Sequence, residues 1–398
     1  MLKKGLATIL AFSLISILVA GAIAEEKAKA IIVFKDKPVQ DDLSFLKNQG
    51  AVVRYQYNII PGIALDIPAK AIGRIREMCQ NPDNPAYPPI CTRISYIELD
   101  QQVAAFAKPI PSQPAQSLPW GIDRVDAELS WSKSTGNGIK IAVVDTGIDY
   151  THPDLDANVK GGVTFVTGTK NYKDDNGHGT HVAGTVAAEN NAIGVVGVAP
   201  DAWLYGVKVL DRHGSGWVSD VIAGIDWSVS NGMQVITMSL GSSSDVQALH
   251  DAVDNAYNRG TVLVAAAGND YGGAISYPAR YSSVIAVTAT DSSNNVASFS
   301  NIGPEAELAA PGVSVYSTYK GGTYAALSGT SMATPHVTGT VGLLLATPIP
   351  AAYDSNGNNQ WDPPEVRNRL HDTAVDLGII GRDQSYGYGL VNAYNALS

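Results

Sequence analysis

The chain has 398 residues, 45% of them apolar and 16% charged, against about 25% charged in an average domain. That balance excludes a disordered or heavily solvated chain, and the length calls for one large domain plus a smaller module. Acidic residues outnumber basic ones 37 to 27, a net charge of -10, so the overall field repels phosphate backbones and nucleic acid is not an expected partner.

Residues 1–24 read as an export signal. Lys3 and Lys4 give the positive end, an apolar run extends from Leu6 to Val19, and Ala22-Ile23-Ala24 supplies the small-residue cleavage pattern. A retained membrane anchor is the competing reading, and the acidic pair Glu25-Glu26 after a small-residue exit favours removal. No later segment is long and apolar enough to cross a bilayer. The expected product is secreted, with no stable membrane association.

From Lys27 to Gln102 the pattern is β-α-β-β-α-β. Ala30 to Phe34, Ala51 to Tyr57, Gly62 to Ile67 and Ile94 to Leu99 read as strands, and Val39 to Asn48 and Ala69 to Met78 as helices. This is the order of a small α+β, ferredoxin-like module. The turn-rich loop NPDNPAYPP follows its second helix, with Cys79 and Cys91 at its two ends. Export permits a disulfide that pins the loop; two free thiols are the alternative. Lys108 to Leu118 (KPIPSQPAQSL) holds three prolines and little periodicity, and reads as a linker.

Beyond it, short apolar strands alternate with helices. The strands are Lys140 to Val144, Leu204 to Val209, Val235 to Met238 and Val262 to Ala267. The helices are His178 to Ala188, Val218 to Ser230 and His250 to Arg259. Such alternation means an α/β fold, a doubly wound parallel sheet with helices on both faces.

Three segments carry chemistry. IAVVDTGID puts Asp145 at the carboxyl end of a buried strand, DDNGHGTHVAGT puts His178 at a helix start, and LSGTSMATPHVTG puts Ser331 where a loop enters a helix. Strand ends and helix starts of a parallel sheet converge on one crevice, so three distant residues can meet there. A serine hydroxyl needs a base to take its proton, an imidazole titrates near neutrality, and a carboxylate fixes the imidazole's tautomer.

The three motifs, in the order Asp, His, Ser, resemble those of the subtilisin family of serine peptidases, from about Gln116 to the C-terminus. The resemblance implies an acyl-enzyme endopeptidase with Asp145, His178 and Ser331 as triad. Asn269 in VLVAAAGND would be the side-chain oxyanion donor, beside the Ser331 backbone N–H. His181 and His336 are implied to be structural. Substrate peptides would pair with Gly214-Ser215-Gly216 and Ser239-Leu240-Gly241, with plain turns as the alternative. Ala266 to Gly268 and Ser276 would line the primary pocket, which has no acidic floor and so suits large apolar side chains, with Asp270 at its rim.

Further implications concern processing and metal. Residues 25–107 would be an inhibitory, folding-assisting propeptide cut by the enzyme itself near Ala107, 108–118 the linker and mature N-terminus, and 119–398 the catalytic domain, monomeric once mature. A structural Ca²⁺ would be held by Gln116, Asp154, Glu189, Asn191, Ile193 and Val195, side-chain oxygens and carbonyls together.

A second calcium loop is legible without the family. DSNGNNQWDPPE sets Asp354, Asn356, Asn358, Gln360, Asp362 and Glu365 at positions 1, 3, 5, 7, 9 and 12 of an EF-hand-like loop, with Asn359 at the usual glycine position. A solvated polar insertion is the competing reading. For the whole chain, three other functions stand against the peptidase: a silent binding protein on the same fold, a serine esterase, and an inhibitor-like interaction protein built on the small module, against which the much longer second domain argues. An esterase elbow would read G-x-S-x-G with the order Ser, Asp, His; this chain has GTSMA and the opposite order.

Overall fold

The computed structural model describes residues 27–82, 87–105, 110–112 and 116–398. The signal read at residues 1–24, the middle of the proline-rich loop, the bond near Ala107 and part of the linker lie outside the described residues.

Seven parallel strands form the central sheet, in the spatial order Leu308–Pro311, Ile285–Thr290, Val262–Ala266, Val235–Met238, Lys140–Asp145, Trp203–Lys208, Val159–Thr164. Period-two alternation sends neighbouring residues to opposite faces. Ile141 and Val143 pack with Val182 and Val186 of helix His178–Ala187 and with Val337 and Val341 of helix Thr330–Leu345. Ala142 and Val144 pack instead with Val221 and Ile225 of helix Val218–Ser230 and Leu249 and Val253 of helix Gln247–Asn258. Both faces are covered, which is why these strands read as near-continuous apolar runs. The α/β architecture is the one the sequence called for.

The small module is a four-stranded antiparallel sheet in the order Val52–Gln56, Gly62–Pro68, Lys27–Phe34, Ile94–Leu99. Ile32, Leu65 and Ile67 lie against its own helices through Leu46, Ile72 and Ile75. The other face, with Ile31, Val33 and Ala64, is buried among the helices Val218–Ser230 and Gln247–Asn258 of the large domain. A sheet apolar on both faces requires that second partner. Cys79 and Cys91 are joined, with Cα atoms 5.0 Å apart.

Polar contacts fix the docking. Glu98 accepts the N–H groups of Gln247 (3.0 Å) and Ala248 (3.1 Å), and Asp100 accepts that of Ser219 (2.9 Å). Two module carboxylates thus cap the first turns of two large-domain helices, where free N–H groups and the helix dipole favour negative charge. The cap explains why the helix read from His250 starts at Gln247. Within the stretch read as linker, Ile110–Ser112 pairs with strand Thr323–Leu327.

Candidate active site

Asp145 ends its strand, wholly buried. Its Oδ1 accepts the N–H of Thr146 at 2.7 Å and faces His178 Nδ1 at 2.8 Å, with Oδ2 3.0 Å from the same nitrogen. His178 opens its helix because Gly177, at φ +114°, makes the turn; a Cβ there would lie 2.2 Å from the Tyr319 ring. Asp174 anchors the turn. One of its oxygens accepts the N–H groups of Asn176 and Gly177 and the Thr146 hydroxyl, and the other accepts the Thr180 N–H and hydroxyl. Burial pushes the Asp174 carboxyl up, opposed by those hydrogen bonds.

Ser331 lies in the first turn of helix Thr330–Leu345. Its hydroxyl donates to the Ser239 carbonyl (3.0 Å), and the Ser239 hydroxyl donates to the Ser331 carbonyl (2.9 Å). His178 Nε2 is buried and has no hydrogen-bond partner among the described residues. Asn269 Oδ1 accepts both the N–H and the hydroxyl of Thr330, at 3.0 Å each, which brings that amide to the start of the serine's helix.

The model of the Subtilase family matches residues 136–389. The chain belongs to the subtilase family. It is 43% identical to "M-protease" of Shouchella clausii (strain KSM-K16) over 389 residues, 94% of this chain and 93% of that one. It is 53% identical to "Subtilisin Savinase" of Lederbergia lenta over 280 residues, 70% of this chain and 98% of that one. "Subtilisin J" of Geobacillus stearothermophilus is 42% identical over 397 residues, 97% of this chain and 94% of the other. This subtilase is accordingly a serine endopeptidase, and proteins are its substrates.

In this subtilase both expected substrate edges carry a strand. Gln102–Ala105, the tail of the small module, lies antiparallel to Ser215–Trp217 on one side and to Leu240–Gly241 on the other. Gly214 precedes the first edge in a turn at φ +74°, and a Cβ on Gly216 would lie 2.3 Å from the Val209 carbonyl oxygen. Ala266 ends the strand leading to the expected pocket. Beyond it, Gly268 (φ +107°) sits where a Cβ would approach Ser276 Oγ to 2.6 Å, so the two expected pocket walls touch here.

The expected first calcium ligands gather around Asp154. It is fully buried, and its oxygens accept Asn191 Nδ2 (2.9 Å), the Val195 N–H (2.8 Å) and the Tyr324 hydroxyl (3.1 Å). The Ser117 N–H donates to the Gly194 carbonyl, setting Gln116 beside the same loop, while Ile193 N–H donates to Asn191 Oδ1. Burial pushes the carboxyls of Asp154 and Glu189 up, and among the described residues neither has a Lys or Arg partner. Two carboxyls without a basic partner suit a hard cation, while the oxygens of Asp154 and Asn191 accept N–H and O–H donors from the surrounding chain.

In the polar loop, Asp362 Oδ2 accepts the amides of Asn356 (2.6 Å) and Asn358 (2.8 Å), and Asp354 accepts the N–H groups of Asn358 and Asn359. Asn359 takes φ +59°. Glu365 spends its oxygens on Ser355 and on the Asp362 N–H, capping helix Pro363–Thr373; Gln360 donates its N–H to Asn358 Oδ1. Among the described residues no three His, Cys, Asp or Glu side chains are placed to share a metal, so a metal at either expected site would need amide and carbonyl oxygens.

His181 and His336 lie wholly buried on backbone carbonyls, those of Val315 and Met332 respectively. Burial pushes their pKa values down to about 3 and about 4. Both are neutral. Sequence reading passed over Lys208, buried beside Asp145 in the sheet register, whose Nζ donates to the carbonyls of Thr146 and Leu210 and to Asp175. It also passed over Thr146, Asp174, Thr330 and Asn301; the first three lie inside the three motifs, and Asn301 carried no local signal.

Proposed function

We propose that this chain is the precursor of an exported endopeptidase whose nucleophile is Ser331. His178 takes the hydroxyl proton as Ser331 Oγ bonds to the peptide carbonyl carbon, and Asp145 holds the ring and stabilises the imidazolium. The Asn269 amide and the Ser331 N–H receive the oxyanion. Collapse expels the amine, which takes the proton from His178, and water then hydrolyses the ester by the same route. The observation that carries this reading is the paired contact of His178 Nδ1 with both Asp145 oxygens at a buried strand end. It leaves Nε2 as the ring's free base.

The same reading makes residues 25–107 a propeptide. Its tail, held between the two edges, occupies the groove as a substrate would, and cleavage near Ala107 would free it. The pocket of Ala266, Gly268 and Ser276 favours large apolar side chains before the scissile bond. A Ca²⁺ at Gln116, Asp154, Glu189, Asn191, Ile193 and Val195 would staple the N-terminal end of the catalytic domain to a loop, and a second at 354–365 would close that insertion. The metal supplies rigidity, not chemistry. The mature enzyme, cut near Ala107, would be monomeric and cysteine-free, and reductant would leave its activity intact.

The deciding experiment is expression of the Ser331→Ala precursor beside wild type. Wild type should process itself, cleave casein and be labelled stoichiometrically by an organophosphorus reagent; the variant should stay uncut, inactive and unlabelled. Self-processing by the variant would end the assignment.

A further inference from the structure

Asn301 belongs to none of the three motifs, yet it touches the residues on both sides of Asn269. It is wholly buried. Its backbone N–H donates to the Gly268 carbonyl at 2.9 Å. Its side-chain Oδ1 accepts the Asp270 N–H at 2.6 Å, and its Nδ2 donates to Asp270 Oδ2 (2.9 Å) and to the Ala274 carbonyl (2.8 Å). The peptide groups before and after Asn269 are therefore pinned by one residue. Thr330 completes the clamp: its hydroxyl accepts the Gly268 N–H and donates to Asn269 Oδ1.

The same side chain ties two walls together. Ala274 precedes Ser276 on the wall facing Gly268, and a Cβ on Gly268 would lie 2.5 Å from Asn301 Nδ2 and 2.6 Å from Ser276 Oγ. Only a primary amide offers one acceptor and two donors in this plane. A carboxylate lacks the donors and would face Asp270 with like charge.

We propose that Asn301 is a positioning residue for peptide hydrolysis: it sets Asn269 toward the developing oxyanion and fixes the spacing of the Gly268 and Ser276 walls of the primary pocket. This rests on Asn269 being the oxyanion donor. An oxyanion donor works by preorganisation, and displacement of about 1 Å costs on the order of 10²-fold in rate. Asn301 acts on rate through Asn269 and on selectivity through the pocket, without touching substrate.

The test compares Asn301→Asp, Asn269→Ala and Asn301→Asp/Asp270→Asn in full-length precursors, with active sites counted by organophosphorus titration. Asn301→Asp should lower kcat per titrated site by about 10- to 100-fold with KM nearly unchanged, and flatten the preference for Phe over Ala before the scissile bond. The double variant exchanges donor and acceptor between 301 and 270 and should recover part of the lost kcat. Normal kcat per site in Asn301→Asp, with only a lower melting temperature, would show a structural prop and overturn the proposal, as would a double variant no better than the single. A silent Asn269→Ala would remove the oxyanion assignment as well; a damaged Asn269→Ala beside a silent Asn301→Asp removes this inference alone.

Discussion

His178 Nδ1 lies 2.8 Å from Asp145 Oδ1, and the same oxygen accepts the Thr146 N–H, so the carboxylate is itself held before it holds the ring. Asp145→Asn keeps the shape but offers an amide donor where an acceptor is needed. It should lower kcat by about 10⁴-fold while KM changes little, the scale of such losses in other serine-protease triads, subtilisin included. Steady-state kinetics on a chromogenic peptide measure it. Loss confined to KM would contradict the role.

Chelation should destabilise the enzyme without changing kcat at low temperature. A site held at about 1,000 times its Kd contributes about 4 kcal/mol, or roughly 10 °C of melting temperature for a domain of this size. Asp154→Asn should abolish most of that difference between EDTA and millimolar Ca²⁺ in differential scanning fluorimetry. An unchanged chelator response in this variant would argue against a metal at Asp154.

The stability contributed by Asp220, at the docking interface of the small module, should fall as pH rises through about 6. Across that interface Asp220 meets Arg54 Nη1 (3.3 Å) and the Tyr55 hydroxyl (2.9 Å), with Asp100 sharing the same guanidinium and Lys29 nearby. Burial foremost, opposed by Tyr55 and Arg54 and aided by Asp100, pushes the Asp220 carboxyl up from 3.8 to about 6. A pKa raised in the folded protein means proton uptake on folding, so that contribution to stability is complete below the ordinary value of 3.8 and is lost above about pH 6. Hydrogen exchange at Ser215–Trp217 in the Ser331→Ala precursor, corrected for intrinsic rates, should show less protection at pH 7 than at pH 5, and Asp220→Asn should flatten the trend.

The two buried imidazoles titrate in the opposite sense. His181 and His336 are depressed from 6.5 to about 3 and about 4, chiefly by burial. Their contribution to stability is therefore full above pH 6.5 and falls as acid protonates the unfolded chain, by about 1.4 kcal/mol per pH unit for each ring down to its folded value. Ring ¹⁵N resonances in the folded protein should stay those of neutral imidazole at pH 5. Protonated rings there would place both residues in a wetter setting.

What was legible in the sequence was local. Val218–Ser230 and Ile94–Leu99 match at both ends, because apolar spacing and turn residues lie within the segments. Ile285–Thr290 and Leu308–Pro311 went unread: they are short, wholly buried and rich in Ala and Thr, without alternation. The motif residues could be recognised as words. The contacts that support them could not, since Thr146 meets Asp174 across 28 residues, Asp270 meets Asn301 across 31 and Lys208 meets Thr146 across 62. Contacts of that span depend on how the strands are ordered, which no short window contains.

Were Gln102–Ala105 to depart, the two edges that flank it would carry a cost. Each then shows main-chain donors and acceptors without mates, the condition that elsewhere drives sheets to aggregate. Here any guest that satisfies both must be drawn out straight and must enter as a middle strand. Coiled or tightly folded stretches cannot comply, so the enzyme should digest unravelled proteins readily and leave compact ones, copies of itself included, largely alone.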